Sequence, residues 1–438
     1  MRSGTLIASI VWVSISAFQY GYHIASLNAA SDAVVSAIGL STFEFGVVVS
    51  AYTVGGLVAS LNTGAMIVRV GQVKTAVRAA WAMMLGALLV TIANSFWVLT
   101  LGRVIIGLAC GIATVLVPLY LQSVSPPALA GKIGIVCQIA INVGILAAQG
   151  ISIPFSTPGT RDWRKISFIS ILVAGVQLGT SWLVASPPPP QSSQIFDVPS
   201  STDEEAERAP FINAASDDAR SPLETDKVDS LSVKEVLKST DPTISRPLKA
   251  LVAVMLCQQL SGINAVMFYS VTILSAVNPA SAKKTALFVT IVNLVMTFPA
   301  VYLIDKLGRR TLILGSLATM SLSSIVMGYS INNDMYIVAS IGILAFVVSF
   351  AGGLGPVPFV LLGELPKEEA KSATASIAVA TNWISNLLIG IFFLPLRDYL
   401  ASFTSSSSQT TSAGSGTVFY VFAVVSAFGF IVVSRLLP

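Results

Sequence analysis

Long apolar segments recur along the chain, and each is about the length that crosses a lipid bilayer. A membrane-spanning helix needs about 20 mostly apolar residues. Only 11% of the 438 residues are charged, whereas soluble domains average about 25%. We therefore predict an all-α polytopic membrane protein rather than a soluble enzyme, a nucleic-acid-binding protein or a disordered chain. The predicted spans are 6–28, 44–68, 77–96, 99–122, 132–153, 166–185, 248–277, 285–304, 311–331, 335–362, 373–396 and 417–436.

The stretch between the sixth and seventh spans differs in composition from the rest of the chain. It is rich in Ser, Pro, Asp and Glu, and such a segment cannot bury enough apolar surface to fold alone. We predict that residues 186–246 form a mainly disordered linker between two six-helix bundles, 1–185 and 247–438. Within the linker, residues 231–239 predict a short helix.

The distribution of positive charge predicts the orientation in the membrane. Most of the 25 Lys and Arg residues fall in the termini, the linker and the loops that share a side with them, and cytoplasmic loops carry such an excess. We therefore expect both termini to be cytoplasmic, with Arg103 among the smaller set on the other side. The absence of Asn-x-Ser/Thr sequons favours a vacuolar or other internal membrane, with the plasma membrane as the alternative.

Histidine and cysteine usage argues against metal binding and catalysis. The chain has three cysteines and one histidine, and none of them stands in a metal-ligand spacing. We expect no metal, no cofactor and no catalytic site, and we expect the lipid bilayer to surround a monomer.

Three amides interrupt the apolar seventh span, where residues 258–270 read QQLSGINAVMFYS. Amides are costly in hydrocarbon unless they have partners or face a water-filled cavity. A helix turns by about 100° per residue, so Gln258, Gln259 and Asn264 cannot share one face of a regular helix. We expect Gly262 to bend or break the helix and bring them together. Their donors and acceptors suit a neutral, hydroxyl-rich solute; hydrogen bonding between helices is the alternative.

This stretch resembles the seventh span of the sugar porters in the major facilitator superfamily, which include the facilitative glucose transporters of animals. The resemblance covers nearly the whole chain apart from the linker and residues 397–416. It implies the major facilitator fold, with 12 transmembrane helices in two pseudo-symmetric six-helix bundles and transport by alternating access. The other matching motifs are FQYGYHIASLNAA at 18–30, GRVIIG at 102–107, PLYLQSVSPPALAG at 118–131, QIAINVGILAAQ at 138–149, DKLGRR at 305–310, GPVPFVLLGE at 355–364 and TNWISN at 381–386.

The resemblance also implies a set of solute-contacting positions between the two bundles. None of them carries a fixed charge, so the expected partner is a small neutral sugar or polyol. Two departures bear on the solute, because Phe359 replaces a stacking Trp and Ala351 replaces a Glu found in many relatives. A different neutral solute therefore stays open. The implied positions are Gln138, Gln258, Gln259, Asn264, Asn293, Phe359, Asn382, Trp383 and Asn386.

The cytoplasmic loop motif of the family is intact in the second half of the chain and eroded in the first. In the first half, Val68, Gln72 and Val73 replace its Asp and its two basic residues, and Ser123 replaces a Glu. We hypothesise that one braced half and one unbraced half lower the barrier to inward opening. The expected charge network of the second half is Asp305, Arg309, Arg310, Glu364 and Lys371.

His23 occupies the position at which proton-coupled relatives usually carry an Asp. Since no Asp or Glu lies deep in a predicted span, we expect a facilitative carrier. The alternatives are a proton-coupled symporter that uses His23 and a non-transporting sugar sensor that signals through its linker. The chain stops at Pro438, where the family continues with a Pro-Glu-Thr motif, so we expect a C-terminal tail to be missing.

Overall fold

In the computed structural model, the described residues are 3–28, 30–124, 130–184, 231, 233–275, 280–404 and 414–437. Within these ranges the regular secondary structure is helical and contains no strand. The α-helices are α1 (Ser3–Ala25), α2 (Ser31–Ile38), α3 (Thr42–Val70), α4 (Gln72–Ile92), α5 (Phe96–Val124), α6 (Ala130–Ser152), α7 (Arg164–Gly179), α8 (Val233–Lys238), α9 (Pro242–Leu260), α10 (Ile263–Ser275), α11 (Ala282–Leu307), α12 (Arg309–Asn332), α13 (Tyr336–Ser349), α14 (Val357–Glu364), α15 (Glu368–Thr404) and α16 (Thr417–Leu436).

Each predicted span is occupied by a helix or by two consecutive helices. Nine helices of the described part are long and apolar enough to cross a membrane, with α9–α10 and α13–α14 each counted as one. The three other predicted spans fall on α6, α7 and α11. The helix predicted at 231–239 is confirmed as α8, while linker residues 186–230 and 232 lie outside the described part.

The seventh span is broken at the predicted glycine. Helix α9 ends at Leu260 and α10 begins at Ile263, and Gly262 between them has a φ of 94°. Residues with a side chain rarely adopt this left-handed conformation. A Cβ at this position would also lie 2.5 Å from the Phe422 ring. Glycine therefore permits both the break and the close approach of α16.

Several helix ends differ from the predicted spans. Helix α9 begins at Pro242 rather than at 248, because the Asp241 carboxylate caps it by accepting a hydrogen bond from the Thr243 N–H (2.8 Å). That bond lowers the pKa of Asp241. Helix α15 continues to Thr404, beyond residue 396, where the predicted span ends. The short helix α2 was not predicted.

The helices of each half pack mainly on other helices of the same half. Residues 3–184 pack through α3 on α5, α4 on α5 and α7, and α1 on α6, and residues 233–437 pack through α12 on α13 and α16 and α9 on α16. The halves meet mainly where α3 contacts α15 and α6 contacts α11. We call the end of the bundle at which α1 begins and α16 ends the terminal face, and the other end the opposite face.

Candidate functional site

The break between α9 and α10 places Gln258 against a second interrupted helix. The Gln258 Nε2 donates to the carbonyls of Leu354 (2.8 Å) and Gly355 (3.0 Å). Its Oε1 accepts a hydrogen bond from Asn382 Nδ2 on α15 (2.5 Å). All the hydrogen-bonding capacity of the Gln258 N–H groups is thus used, and the side chain is only 2% exposed.

Backbone irregularity explains why those carbonyls accept a side chain. Residues Phe350–Leu354 form one turn of π-helix between α13 and α14, and such turns remove ordinary helix partners from nearby backbone groups. On the other side, the Ser316 hydroxyl of α12 donates to Ser349 O (2.6 Å) and accepts from the Leu354 N–H (3.1 Å). Side chains from α9 and α12 therefore support the interruption in the tenth span.

The remaining amides of the seventh span join the same cluster. Gln259 Nε2 donates to Asn382 Oδ1 (3.0 Å), and Asn264 Nδ2 donates to Gln259 Oε1. The break at Gly262 therefore does bring Gln258, Gln259 and Asn264 together, through Asn382. We call these four residues the second-half amide cluster.

A second group of polar side chains crosses from one half of the chain to the other. Asn142 Nδ2 on α6 donates to Thr297 Oγ1 on α11 (2.5 Å). Asn142 Oδ1 accepts from Gln138 Nε2 (3.3 Å) and from Asn293 Nδ2 (3.4 Å). We call Gln138, Asn142, Asn293 and Thr297 the cross-half polar cluster. Gln138 and Asn293 were predicted site residues, whereas Asn142 and Thr297 were not.

Trp383 supplies an aromatic wall between the halves. It is 3% exposed, and its ring centroid lies 5.9 Å from that of Tyr20 and 6.2 Å from that of Tyr52. Gly56 makes room for it, since a Cβ there would lie 2.7 Å from the indole. Aromatic rings of this kind offer a flat apolar surface for a solute.

Two further predicted site residues, Asn386 and Phe359, belong to neither polar cluster. Asn386 is buried next to Trp383, and its Oδ1 has no hydrogen-bond partner among the described residues; the same holds for the hydroxyl of Tyr52, which faces the Asn386 side chain. Buried polar atoms are normally paired, so these two atoms are among the exceptions in the described part. Phe359 on α14 is 50% exposed and stands apart from the aromatic contacts of Trp383.

His23 lies inside the first half rather than at the interface between the halves. The Ser170 hydroxyl donates its one proton to Gln19 Oε1 (2.8 Å), so in the His23 Nε2···Ser170 Oγ contact (2.8 Å) the imidazole is the donor. The neutral ring satisfies this arrangement. A second positive charge there would also be opposed by Arg103, whose Nη1 donates to His23 O (3.1 Å).

Arg103 was predicted to lie with the charges on the non-cytoplasmic side of the membrane, but its side chain is buried. It is 1% exposed and donates to the carbonyls of Val48 (3.3 Å), Val49 (2.9 Å) and His23. Its guanidinium also lies over the Tyr52 ring, 4.7 Å from the centroid. Backbone dipoles and a ring face thus replace the carboxylate that commonly accompanies a buried guanidinium.

The terminal face shows the difference between the halves that the loop motif predicts. In the second half Arg309 forms a bidentate ion pair with Glu364 (2.9 and 3.1 Å), and Arg310 donates to Ser434 O (2.8 Å). In the first half the Ser123 hydroxyl contacts Gln72 Oε1 (3.1 Å) and Tyr120 O (2.8 Å), which are both neutral acceptors. The side chains of Asp305 and Lys371 lie outside the described part.

The halves are joined at the opposite face. Asn28, just after α1, donates to Met267 O (3.0 Å) and Ser270 Oγ (2.6 Å) of α10, and accepts from the Val271 N–H (3.2 Å). Lys283 donates to Ser156 O (3.3 Å) near the ends of α11 and α6. These contacts connect the two halves at that face.

Comparisons with known proteins match nearly the whole chain to transporters. A family model described as "Sugar (and other) transporter" matches residues 4–438. Facilitated glucose transporter protein 1 of Caenorhabditis elegans is 30% identical over 428 residues, which cover 90% of this chain and 82% of that protein. A probable metabolite transport protein of Saccharomyces cerevisiae is 26% identical over 463 residues, covering 97% of this chain and 91% of that protein.

Solved structures share the architecture. The crystal structure of a D-xylose-proton symporter superposes with a TM-score of 0.78 at 19% identity, covering 99% of this chain and 98% of that one. The xylose transporter XylE from E. coli, in a partially occluded inward-open conformation, gives a TM-score of 0.74 at 16% identity and covers 99% of this chain and 100% of that one. At these identities the likeness shows the fold alone, and it is the major facilitator fold.

Proposed function

Because the chain belongs to the sugar (and other) transporter family, and is a multi-pass membrane transporter rather than an enzyme, we propose that it carries a small neutral sugar or polyol by alternating access. The observation that carries this proposal is that the structure combines two clusters of uncharged polar side chains with the aromatic ring of Trp383. Amides provide both donors and acceptors for hydroxyl groups, and the indole provides an apolar surface. Relatives named as facilitated glucose transporters support the same solute class.

The uncharged character of the clusters bears on the solute. The side chains that hydrogen-bond in them are Gln, Asn and Thr, so an ionic solute would lose its hydration without gaining a counter-charge. In the state described, the amides satisfy one another. A solute with several hydroxyl groups can replace those bonds one for one as it enters.

Facilitation is the proposed mode of transport. No Asp or Glu is among the buried residues of the described part, and the His23 ring is bonded to Ser170 within the first half. A proton carrier would need a titratable group that both faces of the membrane reach in turn. Neither the location of His23 nor the neighbouring Arg103 charge favours that role.

The membrane arrangement is proposed on the charge distribution. The terminal face, with Arg309 and Arg310, is taken as cytoplasmic. The contacts of Asn28 and Lys283 would then hold the opposite face closed, as in an inward-facing carrier. Bundles 1–185 and 247–438 would rock around the site in a monomer, with 186–246 as the linker between them. An internal membrane, vacuolar or other, is proposed ahead of the plasma membrane.

Reconstitution in liposomes tests the proposal. We expect uptake of labelled D-glucose, D-xylose or D-sorbitol to equilibrate without accumulation, with or without an imposed pH gradient. Gln259→Ala should abolish most uptake, while Asn62→Ala should not, since Asn62 is an exposed amide bonded to Val58 O of its own helix (2.7 Å). Accumulation that depends on the gradient and disappears in His23→Ala would establish symport instead. Binding of these solutes without uptake would favour the sensor.

A further inference from the structure

The cross-half polar cluster is built from two matching pairs of side chains. Gln138 and Asn142 are four residues apart on α6, and Asn293 and Thr297 are four residues apart on α11. Residues at this spacing project from one helix face, so the two pairs lie opposite each other at the interface between the halves. Asn142 is the centre of the group, because it contacts the three other members.

Two of the three hydrogen bonds of Asn142 cross between the halves, and the third joins it to Gln138 on its own helix. Gln177, for comparison, donates to Ser16 Oγ (2.7 Å) and Trp12 O (3.3 Å) and so joins α7 to α1 inside the first half. The bonds of Asn142 go instead to Gln138, Asn293 and Thr297, at the interface that alternating access must rearrange. Asn142 is 3% exposed, and such a buried amide is costly unless it is paired.

We infer that Asn142 is a specificity-determining residue that binds one hydroxyl group of the solute. This inference rests on the proposed function. The bonds that Asn142 Oδ1 accepts, at 3.3 and 3.4 Å, are long for amide hydrogen bonds. A solute hydroxyl entering between α6 and α11 would accept from one of those amide N–H groups and donate to Asn142 Oδ1 at normal length.

The recognition would be selective because it depends on the presence of that one hydroxyl group. A solute that lacks it would fill the site while leaving the Asn142 oxygen poorly paired. Sites built to hydrogen-bond a solute group reject analogues without that group for this reason. We expect one monodeoxy analogue of the transported solute to compete about tenfold more weakly than the parent compound.

The experiment uses the full chain in liposomes and whichever of D-glucose, D-xylose or D-sorbitol the unmodified protein carries fastest. Inhibition of its uptake is measured for each monodeoxy analogue, in the unmodified protein and in Asn142→Val. Valine keeps the approximate size of the side chain and removes both hydrogen-bonding groups. We expect the penalty for one analogue to vanish in the variant while the penalties for the others persist.

Thr297→Val separates recognition from a purely structural contact. It breaks the Asn142–Thr297 bond between the halves but leaves the Asn142 amide in place, so the selective penalty should remain. Asn62→Val controls for loss of an amide elsewhere in a span. If Asn142→Val does not fold, Asn142→Ala replaces it, since Ala is the best helix former.

Three outcomes would overturn the inference. The analogue penalties could be unchanged in Asn142→Val, they could all fall by one common factor, or Thr297→Val could lose the same single penalty. A different failure belongs to the proposed function itself: the unmodified protein would then carry none of the three solutes, and the inference would fall with it.

Discussion

At the scale of single residues, the polar side chains of the candidate site divide into those that also support the backbone and those that bond only to other side chains. Gln258 belongs to the first kind, because its two N–H groups reach Leu354 O and Gly355 O. Gln259 belongs to the second kind, because its partners are Asn382 and Asn264. The sequence could not separate these adjacent glutamines, since the difference depends on where the tenth span is interrupted.

This division predicts different effects on stability. Gln258→Ala leaves two carbonyls without their donor and should cost about 1–3 kcal/mol of unfolding free energy. Gln259→Ala leaves only side chains that can bond to one another again, so its cost should be smaller. Thermal unfolding of the two variants in the same detergent checks the difference, and equal shifts of the midpoint would contradict it.

The position of Trp383 gives a second prediction at this scale. In Gly56→Ala the new methyl group would approach within 2.7 Å of the indole, so the ring must move from its place beside Tyr20 and Tyr52. We expect KM for the solute to rise about tenfold with protein folding retained. Gly64→Ala on the same helix is the matched control, because a Cβ there meets no atom within 4 Å. A normal KM in Gly56→Ala would exclude Trp383 as the stacking surface.

At the scale of helices, hydropathy predicts the twelve spans and a glycine predicts the break between α9 and α10. The π-helical turn at Phe350–Leu354 was not predicted, because an apolar run looks the same whether its backbone is α or π. Helix α2 was missed for a different reason: with eight residues it is shorter than a span and lacks a long periodic pattern. Bends supported by distant side chains are invisible to local sequence patterns.

Asn28 shows how such support works in α10. In a regular helix the Val271 N–H would donate to Met267 O, four residues earlier. Here Tyr269 has φ −128° and ψ 16°, and the Asn28 amide takes up both groups, donating to Met267 O and accepting from Val271 N. One side chain of the first half therefore stands in for a backbone hydrogen bond of the second half.

We expect Asn28→Leu to favour opening at the opposite face, because α10 then loses its partner beside α1. The readout is the rate at which a cysteine placed at Val271 reacts with a membrane-impermeant thiol reagent, and it should rise several-fold. Val271 is 2% exposed and takes part in the bridge only through its backbone N–H. Asn333→Leu is the control, since Asn333 lies at the same face but bonds to Tyr329 O of its own helix (2.8 Å). An unchanged rate in Asn28→Leu would show that the bridge does not hold this face closed.

At the scale of the whole molecule, the resemblance of motifs predicted the fold, whereas pairing between the halves needed the structure. Asn142 and Thr297 are an amide and a hydroxyl in apolar spans, and many such residues merely bond to their own helix, as Thr63 does to Ala59 O (2.7 Å). Only the register of α6 against α11 shows that they meet. The role of the predicted site residues in binding remains a prediction that the transport experiments test.

The two halves also differ at the terminal face, and this asymmetry bears on the rate of transport. Arg309 and Glu364 form an ion pair whose side chains are 33% and 44% exposed, which places its contribution at about 0–1 kcal/mol. The equivalent region of the first half holds the neutral bond between Ser123 and Gln72. The Arg309–Glu364 pair is already formed in the state proposed to be inward-facing, so a gating effect requires charge contacts that strengthen when this face closes. On that hypothesis the unbraced half lowers the barrier to opening at this face.

Installing charges in the first half tests this asymmetry directly. The double variant Gln72→Arg/Ser123→Glu replaces a neutral bond by an ion pair at the same place, and a bracing contribution near 1 kcal/mol corresponds to about a fivefold slower initial uptake. High salt should reduce the effect, because exposed pairs are screened. Gln72→Arg alone, which lacks the new carboxylate, is the control, and its uptake rate should be close to that of the unmodified protein.

In the second half, neutralising Arg309 and Arg310 together should raise the uptake rate. Unchanged rates in both experiments would show that these charges are ordinary solvated side chains with no part in gating.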